Sequence, residues 1–509
     1  MDANRVFLNR ATAFLVAVTA FAAAPLCSDA QGSADQGQPK PRPAQEQHPH
    51  QPAAPDQPPD RSQHEAGDMT MFPAREASGT AWLPDATPMY GLHRSAGSWQ
   101  LMGHGNLFAQ FLYDSGDRGH DQFGSINWIM GMAHRNLAGG RLGLRGMFSL
   151  EPWTVRGCGY PDLLATGERC DDDPITDRQH QHDLFMEFAA QYDRALTGSV
   201  RWQVYGGLAA EPTLGPAAYP HRISAMPNLL APITHHWLDA THITFGVLTG
   251  GIYGDQWKAE ASAFNGREPD EERTDLDLAP LDSVSGRVWF LPTANLAMQV
   301  SAGYLNEAEP GDAGGPRVDA TRVTASATYH RQRGDGGIWA TTVAWGRNEE
   351  ENRATSALLV ESNLTLADRD TWFGRFEIVG KTAHDLDVAH SLVHDVEGAE
   401  TFTVAKLQGG YTRYLATWKG LNAGLGVSAS AGFVPSDLET VYGRRVNVGF
   451  GVFLTVRPAL MRSGMPHAHA TVITSGRTRA LAPSTTAAST TMPRALLISS
   501  PTRSPSPVP

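Results

Sequence analysis

The sequence predicts an all-β protein: a closed antiparallel up-and-down transmembrane β-barrel of about 16 strands. Three observations predict it. Apolar and polar residues alternate with period two in segment after segment between Ser98 and Arg457. The connections between these segments are short and long by turns. Past the first thirty or so residues, no run of about 18 apolar residues occurs that would make a spanning helix.

The alternation is clearest near the end of the repeating region. In Arg444 to Val456, the even positions Val446, Val448, Phe450, Val452, Leu454 and Val456 are apolar. The odd positions are Arg445, Asn447, Gly449, Gly451, Phe453 and Thr455, mostly small or polar. The same division sets Leu142, Leu144 and Phe148 against Arg141 and Arg145, and Val200, Trp202 and Val204 against Arg201, Gln203 and Tyr205. It sets Met298 and Val300 against Gln299 and Ser301, and Val323 against Arg322 and Thr324. One face suits lipid and the other a wet interior. About twelve residues at roughly 3.3 Å each, tilted near 45°, cross roughly 28 Å of hydrocarbon. Every backbone polar group in lipid needs a partner, so such a sheet must close.

Short turns fall at 136–140, 196–199, 254–256, 292–295, 333–337, 366–370 and 417–420. Longer stretches fall between them, at 154–181, 212–239, 265–279, 306–319, 348–354, 382–400 and 434–444. A meander with all its turns on one rim and all its loops on the other produces that order. Trp99, Tyr113, Trp153, Trp257, Trp289, Trp372 and Trp418 stand near segment ends and suit the interfacial girdles of such a barrel.

The flanks read differently. Residues 1–30 have the layout of an export signal: Arg5 and Arg10, an apolar core from Ala11 to Ala24, and a small-x-small site at Ser28 to Ala30. Residues 31–97 form a linker, rich in Pro, Gln and His, and a periplasmic lead-in. The part up to about residue 80 is too poor in apolar residues to bury a core. The barrel occupies 98–457, and 458–509 form a tail without Asp, Glu or periodicity. After removal of the signal, two cysteines remain, Cys158 and Cys170, and an oxidising compartment favours a disulfide between them. The net charge is −12 with no basic block, which argues against nucleic acid as a partner.

In this arrangement the chain resembles the porins and related Gram-negative outer-membrane barrels. The resemblance covers roughly Ser98 to Arg457 and rests on architecture, with Arg445 to Val456 resembling the terminal strand that such barrels carry. The family usually ends at that strand; here about fifty residues follow, read as a periplasmic tail or a shifted reading frame. The resemblance implies integral residence in the bacterial outer membrane, contact with lipopolysaccharide, insertion by the barrel-assembly machinery, and a possible homotrimer.

The alternation also nominates site residues. Arg141, Arg145, Asp183, Glu187, Arg201, Lys258, Glu260, Arg287, Arg322, Arg375, Glu377 and Lys381 are expected to line a pore. Charged walls of this kind sort solutes by charge. The stretch 212–239 is too apolar for an exposed loop. It is expected to fold over or into the barrel as a constriction built on His221, Met226, His235, His236 and Trp237. His48, His50, His64, Met69 and Met71 in the linker resemble, sparsely, the Met- and His-rich leading segments of copper-resistance outer-membrane proteins. No spacing matches a strong metal motif, and no G-x-S-x-G or H-E-x-x-H occurs. The leading expectation is passive diffusion of small hydrophilic solutes without cofactor or catalysis. The alternatives are a plugged barrel that binds or exports metal ions and, behind it, a lipid-modifying enzyme.

Overall fold

The computed structural model describes residues 72–170, 173–309, 316–334, 336–350, 353–388 and 401–461. A short strand β1 (Leu92–Ala96) leads into β2 (Trp99–Asp114), β3 (Asp121–Leu137) and β4 (Gly140–Phe148). A small hairpin of β5 (Tyr160–Cys170) and β6 (Asp173–Gln179) follows. Then come β7 (Phe185–Thr197), β8 (Val200–Ala210), β9 (Thr244–Tyr253), β10 (Trp257–Phe264), β11 (Ser283–Thr293) and β12 (Leu296–Glu309). The series ends with β13 (Val318–Arg333), β14 (Gly337–Glu350), β15 (Arg353–Leu366), β16 (Asp370–Thr382), β17 (Thr401–Tyr414), β18 (Leu421–Phe433) and β19 (Val446–Pro458).

All strands except β1, β5 and β6 form one closed 16-strand antiparallel barrel. Each pairs with its neighbour in sequence, β4 pairs with β7 across the hairpin, and β19 pairs with β2 to close the ring. The closing register sets Val452 opposite Phe111 and Leu454 opposite Ala109. Closure leaves no sheet edge to be satisfied in lipid.

The period-two pattern sorts the two faces. Val448, Phe450, Val452 and Leu454 are exposed on the outside of β19, whereas Asn447, Phe453, Thr455 and Arg457 are buried inside. Val300 on β12 and Val427 on β18 are exposed in the same way. The outer belt is therefore apolar, and the protein is an integral outer-membrane type of barrel. Tyr113, Trp153, Trp257, Trp372 and Trp418 are outward aromatics at its rims. Trp289 is not. It shares parity with Arg287 and points inward, 2% exposed, with its Nε1 donating to Glu260 Oε1 at 3.2 Å.

The short turns lie on one rim. The β3–β4 turn holds Ala138 and Gly139 at φ 48° and 75°, the paired left-handed conformation that a two-residue hairpin requires. On the other rim, β14 runs to Glu350 and β15 resumes at Arg353, so the stretch read as a loop at 348–354 is mostly strand. The stretch 154–181 is not a plain loop either. It contains the hairpin β5–β6, and Cys158 and Cys170 are disulfide-bonded across it.

Two further segments depart from the expectation. Residues 72–83, read as part of an unstructured linker, are folded, with Phe72, Ala77, Trp82 and Leu83 buried. Trp82 packs with Ala217, Trp289, Leu291 and Ala297 beside the short-turn rim. Residues 211–243, between β8 and β9, run inside the barrel.

Candidate functional site

The interior of the barrel is the candidate site, and it is filled by three inserted pieces: the lead-in 72–83, the hairpin β5–β6 and residues 211–243. Residues 211–243 touch the wall on every side. Gly215 N donates to Ser301 Oγ on β12 at 2.8 Å, and Asn106 Nδ2 on β2 donates to Met226 O at 3.0 Å. Asn228 Nδ2 donates to Gln408 Oε1 on β17 at 2.7 Å, and Trp237 Nε1 donates to Thr355 Oγ1 on β15 at 2.8 Å. A loop with partners on strands so far apart in the ring lies across the lumen. Gly346 on β14 makes room for it: a Cβ there would sit 2.1 Å from Trp237 O.

The wall charges are gripped by these pieces rather than bathed in water. Arg141 pairs with Glu76 of the lead-in and with Asp193, the latter at 2.8 Å. Arg145 donates to Ala77 O at 3.1 Å and Gly79 O at 2.5 Å, and lies 3.7 Å from Glu187. Lys258 reaches Thr80 O and stands 3.4 Å from Glu260. Arg287 bonds Glu260 Oε1 at 3.0 Å and Gly215 O at 2.9 Å. Arg375 bonds Glu361 at 3.1 Å and Leu230 O at 2.8 Å. Glu377 accepts from Thr234 Oγ1 at 2.8 Å, and Lys381 donates to Leu164 O at 2.7 Å. Arg322 bonds Asn348 at 2.9 Å. Arg201 alone of these wall residues is half-buried, held by Asp193 at 2.5 Å near the short-turn rim. Asp183 precedes β7, and burial, only partly offset by Arg273, pushes its carboxyl up to about 7.

Arg222 and Glu151 are central residues outside the set of expected pore-lining residues. Arg222 is fully buried and donates to Asp239 at 2.5 Å and Glu361 at 2.7 Å. Glu151 accepts from the backbone N–H groups of Asn127 and His182 at 3.1 and 2.9 Å and sits 2.9 Å from His182 Nδ1. Both lie outside the regular strands: Arg222 has no period to betray it, and Glu151 continues the polar parity of Arg141 and Arg145 just past the end of β4.

The inserted loop also carries histidines into a file. His235 lies within 5.5 Å, between ring centres, of both His236 and His242, and His242 is 5.6 Å from His182. Burial pulls the pKa of His235, His236 and His242 down, so these rings are neutral at pH 7. At the long-loop end, His236, Glu268 and Glu309 bring their donor atoms within 4.8 Å of one another. They line a chamber of about 260 Å³ that also includes Glu168, Trp237 and Glu350. Burial, with Glu168 nearby, pushes the Glu268 carboxyl up. Glu268 lies in the β10–β11 connection and Glu309 ends β12, so no local spacing could have announced the group.

A second chamber, about 100 Å³, lies between the lead-in, the inserted loop and the β2–β3 wall. Met102, His104, Met130, Met132, His221 and Met226 line it. The linker residues His48, His50, His64, Met69 and Met71 lie outside the described residues.

Fold and interior together define the class: a porin-like 16-strand outer-membrane barrel with its lumen occupied by its own loops. No protein-family model and no curated protein matches the chain. Solved structures do. The chain is similar to OmpF of Salmonella typhi in complex with daunomycin, at 11% identity and TM-score 0.44, over 72% of this chain and 100% of that one. It is similar to the channel DcaP of Acinetobacter baumannii, at 9% identity and TM-score 0.42, over 72% and 100%. An anion-selective porin from Comamonas acidovorans matches at 9% identity and TM-score 0.41, over 71% and 100%. At these values the residue roles rest on this chain's own geometry.

Proposed function

We propose that the protein is an outer-membrane channel for passive diffusion of small hydrophilic solutes, with residues 211–243 as its gate. One observation carries this reading. The wall of a 16-strand barrel encloses more space than its own side chains can fill. Here that space holds a single connection, 211–243, which bonds the wall through polar groups and packs Leu229, Leu230, Ile233 and Trp237 into apolar clusters against it. Arg141, Arg145, Lys258, Arg287, Arg375 and Lys381 would face the solute once the inserted pieces withdraw. The export signal at 1–30, insertion by the assembly machinery, contact with lipopolysaccharide and assembly as a homotrimer belong to the same proposal.

The test is conductance in planar bilayers. Ala210 pairs with Thr244 in the β8–β9 ladder, so a four-residue turn can replace 211–243 without straining the barrel. The full chain is expected to give rare or very small steps. The loop-deleted chain is expected to give steady ohmic ones. A deleted chain that inserts, keeps its barrel on gel-shift assay and stays silent would remove the channel reading.

A further inference from the structure

The inner chamber differs in chemistry from the rest of the wall. Most inward rows carry Arg, Glu, Gln, Ser or Thr. On β2 the inward row reads Met102-x-His104, and on β3 it reads Met130-x-Met132. The ladder sets Met102 opposite Met132 and His104 opposite Met130. Across that second pair, His104 Nε2 lies 3.0 Å from Met130 Sδ. The inserted loop adds His221, whose ring centre is 5.5 Å from that of His104, and Met226, tied down by Asn106.

Methionine often serves as a flexible filler of irregular cores. Filling does not account for an imidazole nitrogen aimed at a thioether sulfur, with a Met–Met pair set beside it on the same two strands. Thioether sulfur and neutral imidazole are soft to borderline donors, and sulfur in particular favours monovalent copper over the hard divalent ions. Glu76, an acid that also lines the chamber, is occupied by Arg141 and lies 3.6 Å from Arg145.

We propose that this chamber is a Cu(I) site, with His104 Nε2 and Met130 Sδ as the central donors and Met102, Met132, His221 and Met226 available to complete the set. The site stands apart from the channel reading, because binding is measured without conductance.

The full chain in detergent is titrated anaerobically with Cu(I) against bicinchoninate, a chromogenic chelator. It is expected to withdraw one equivalent, while Zn(II) in a parallel titration is not retained at this site. H104Q/M130L is expected to bind Cu(I) at least about tenfold more weakly, the scale on which metal sites respond to lost supporting groups. M298L, on the lipid face of β12, is expected to bind as the unmodified chain does. A chain with His48, His50 and His64 changed to Ala, and Met69 and Met71 to Leu, is also expected to keep its copper. X-ray absorption of the unmodified copper-loaded chain is expected to show both sulfur and nitrogen neighbours, a readout that holds even if the double variant fails to fold. Failure to compete with the chelator, a folded double variant with undiminished affinity, loss of binding in the linker variant, or a spectrum without sulfur would each overturn the proposal.

Discussion

At the scale of single residues, the interior depends on charges that satisfy one another in the absence of bulk water. Arg222 is the plainest case. Its side chain is fully buried, and it neutralises Asp239 on its own loop and Glu361 on β15. Removing one partner of a buried pair leaves the other charge uncompensated and costs about 3–5 kcal/mol. Arg222→Gln is therefore expected to loosen 211–243 and lower the thermal unfolding midpoint. Protease cleavage confined to that loop would check it; an unchanged midpoint and digestion pattern would show that Arg375 alone suffices for Glu361. The sequence made half of this network readable. Strand parity aimed Arg141, Arg145, Arg287 and Arg375 inward, because a β-strand alternates its faces strictly. It could not reveal Arg222 or the backbone carbonyls of 77–80, because a loop has no fixed period and the wall groups it meets, such as Glu361 for Arg222 and Arg145 for Ala77 O, are distant in the sequence. Trp289 shows the reverse: it stands near a strand end, yet its parity with Arg287 turns it inward.

At the scale of elements, the turns were legible and the inserted pieces were not. Turn chemistry is local, so Gly139 and its neighbours mark a hairpin from the sequence alone. The hairpin β5–β6 escaped notice because its stability comes from elsewhere. Leu163, Leu164 and Ala165 pack against Val379, Phe402 and Val404 of the wall, and Lys406 bonds Asp162 and Leu163 O. The Cys158–Cys170 bridge, with a sequence separation of 12, restricts the unfolded alternatives of this segment by about 3 kcal/mol in the chain-entropy picture. Changing both cysteines to serine is expected to raise amide hydrogen exchange in β5 and β6 and leave the barrel ladder protected. If β5 keeps its full protection, its wall contacts hold it without the bridge.

At the scale of the whole molecule, one division organises everything else: lipid outside, polar groups inside. That division was legible because it repeats in strand after strand, whereas the filling of the lumen depends on long-range contacts that occur once. It also makes a graded prediction. Val300 stands midway along β12 and is 57% exposed to the outside, while Leu137 ends β3 at the short-turn rim and is 41% exposed. An arginine on the lipid face costs roughly 2–4 kcal/mol at the bilayer midplane and roughly 0–1 near the interface, where its long side chain reaches water. Val300→Arg is therefore expected to reduce the folded, heat-shifted fraction in lipid vesicles sharply, and Leu137→Arg to leave it nearly unchanged. In a soluble barrel both positions would be surface sites in water, and the two substitutions would be equally harmless. Equal behaviour of the pair would therefore count against the membrane belt itself, and a steep difference between them would locate its centre near the middle of β12.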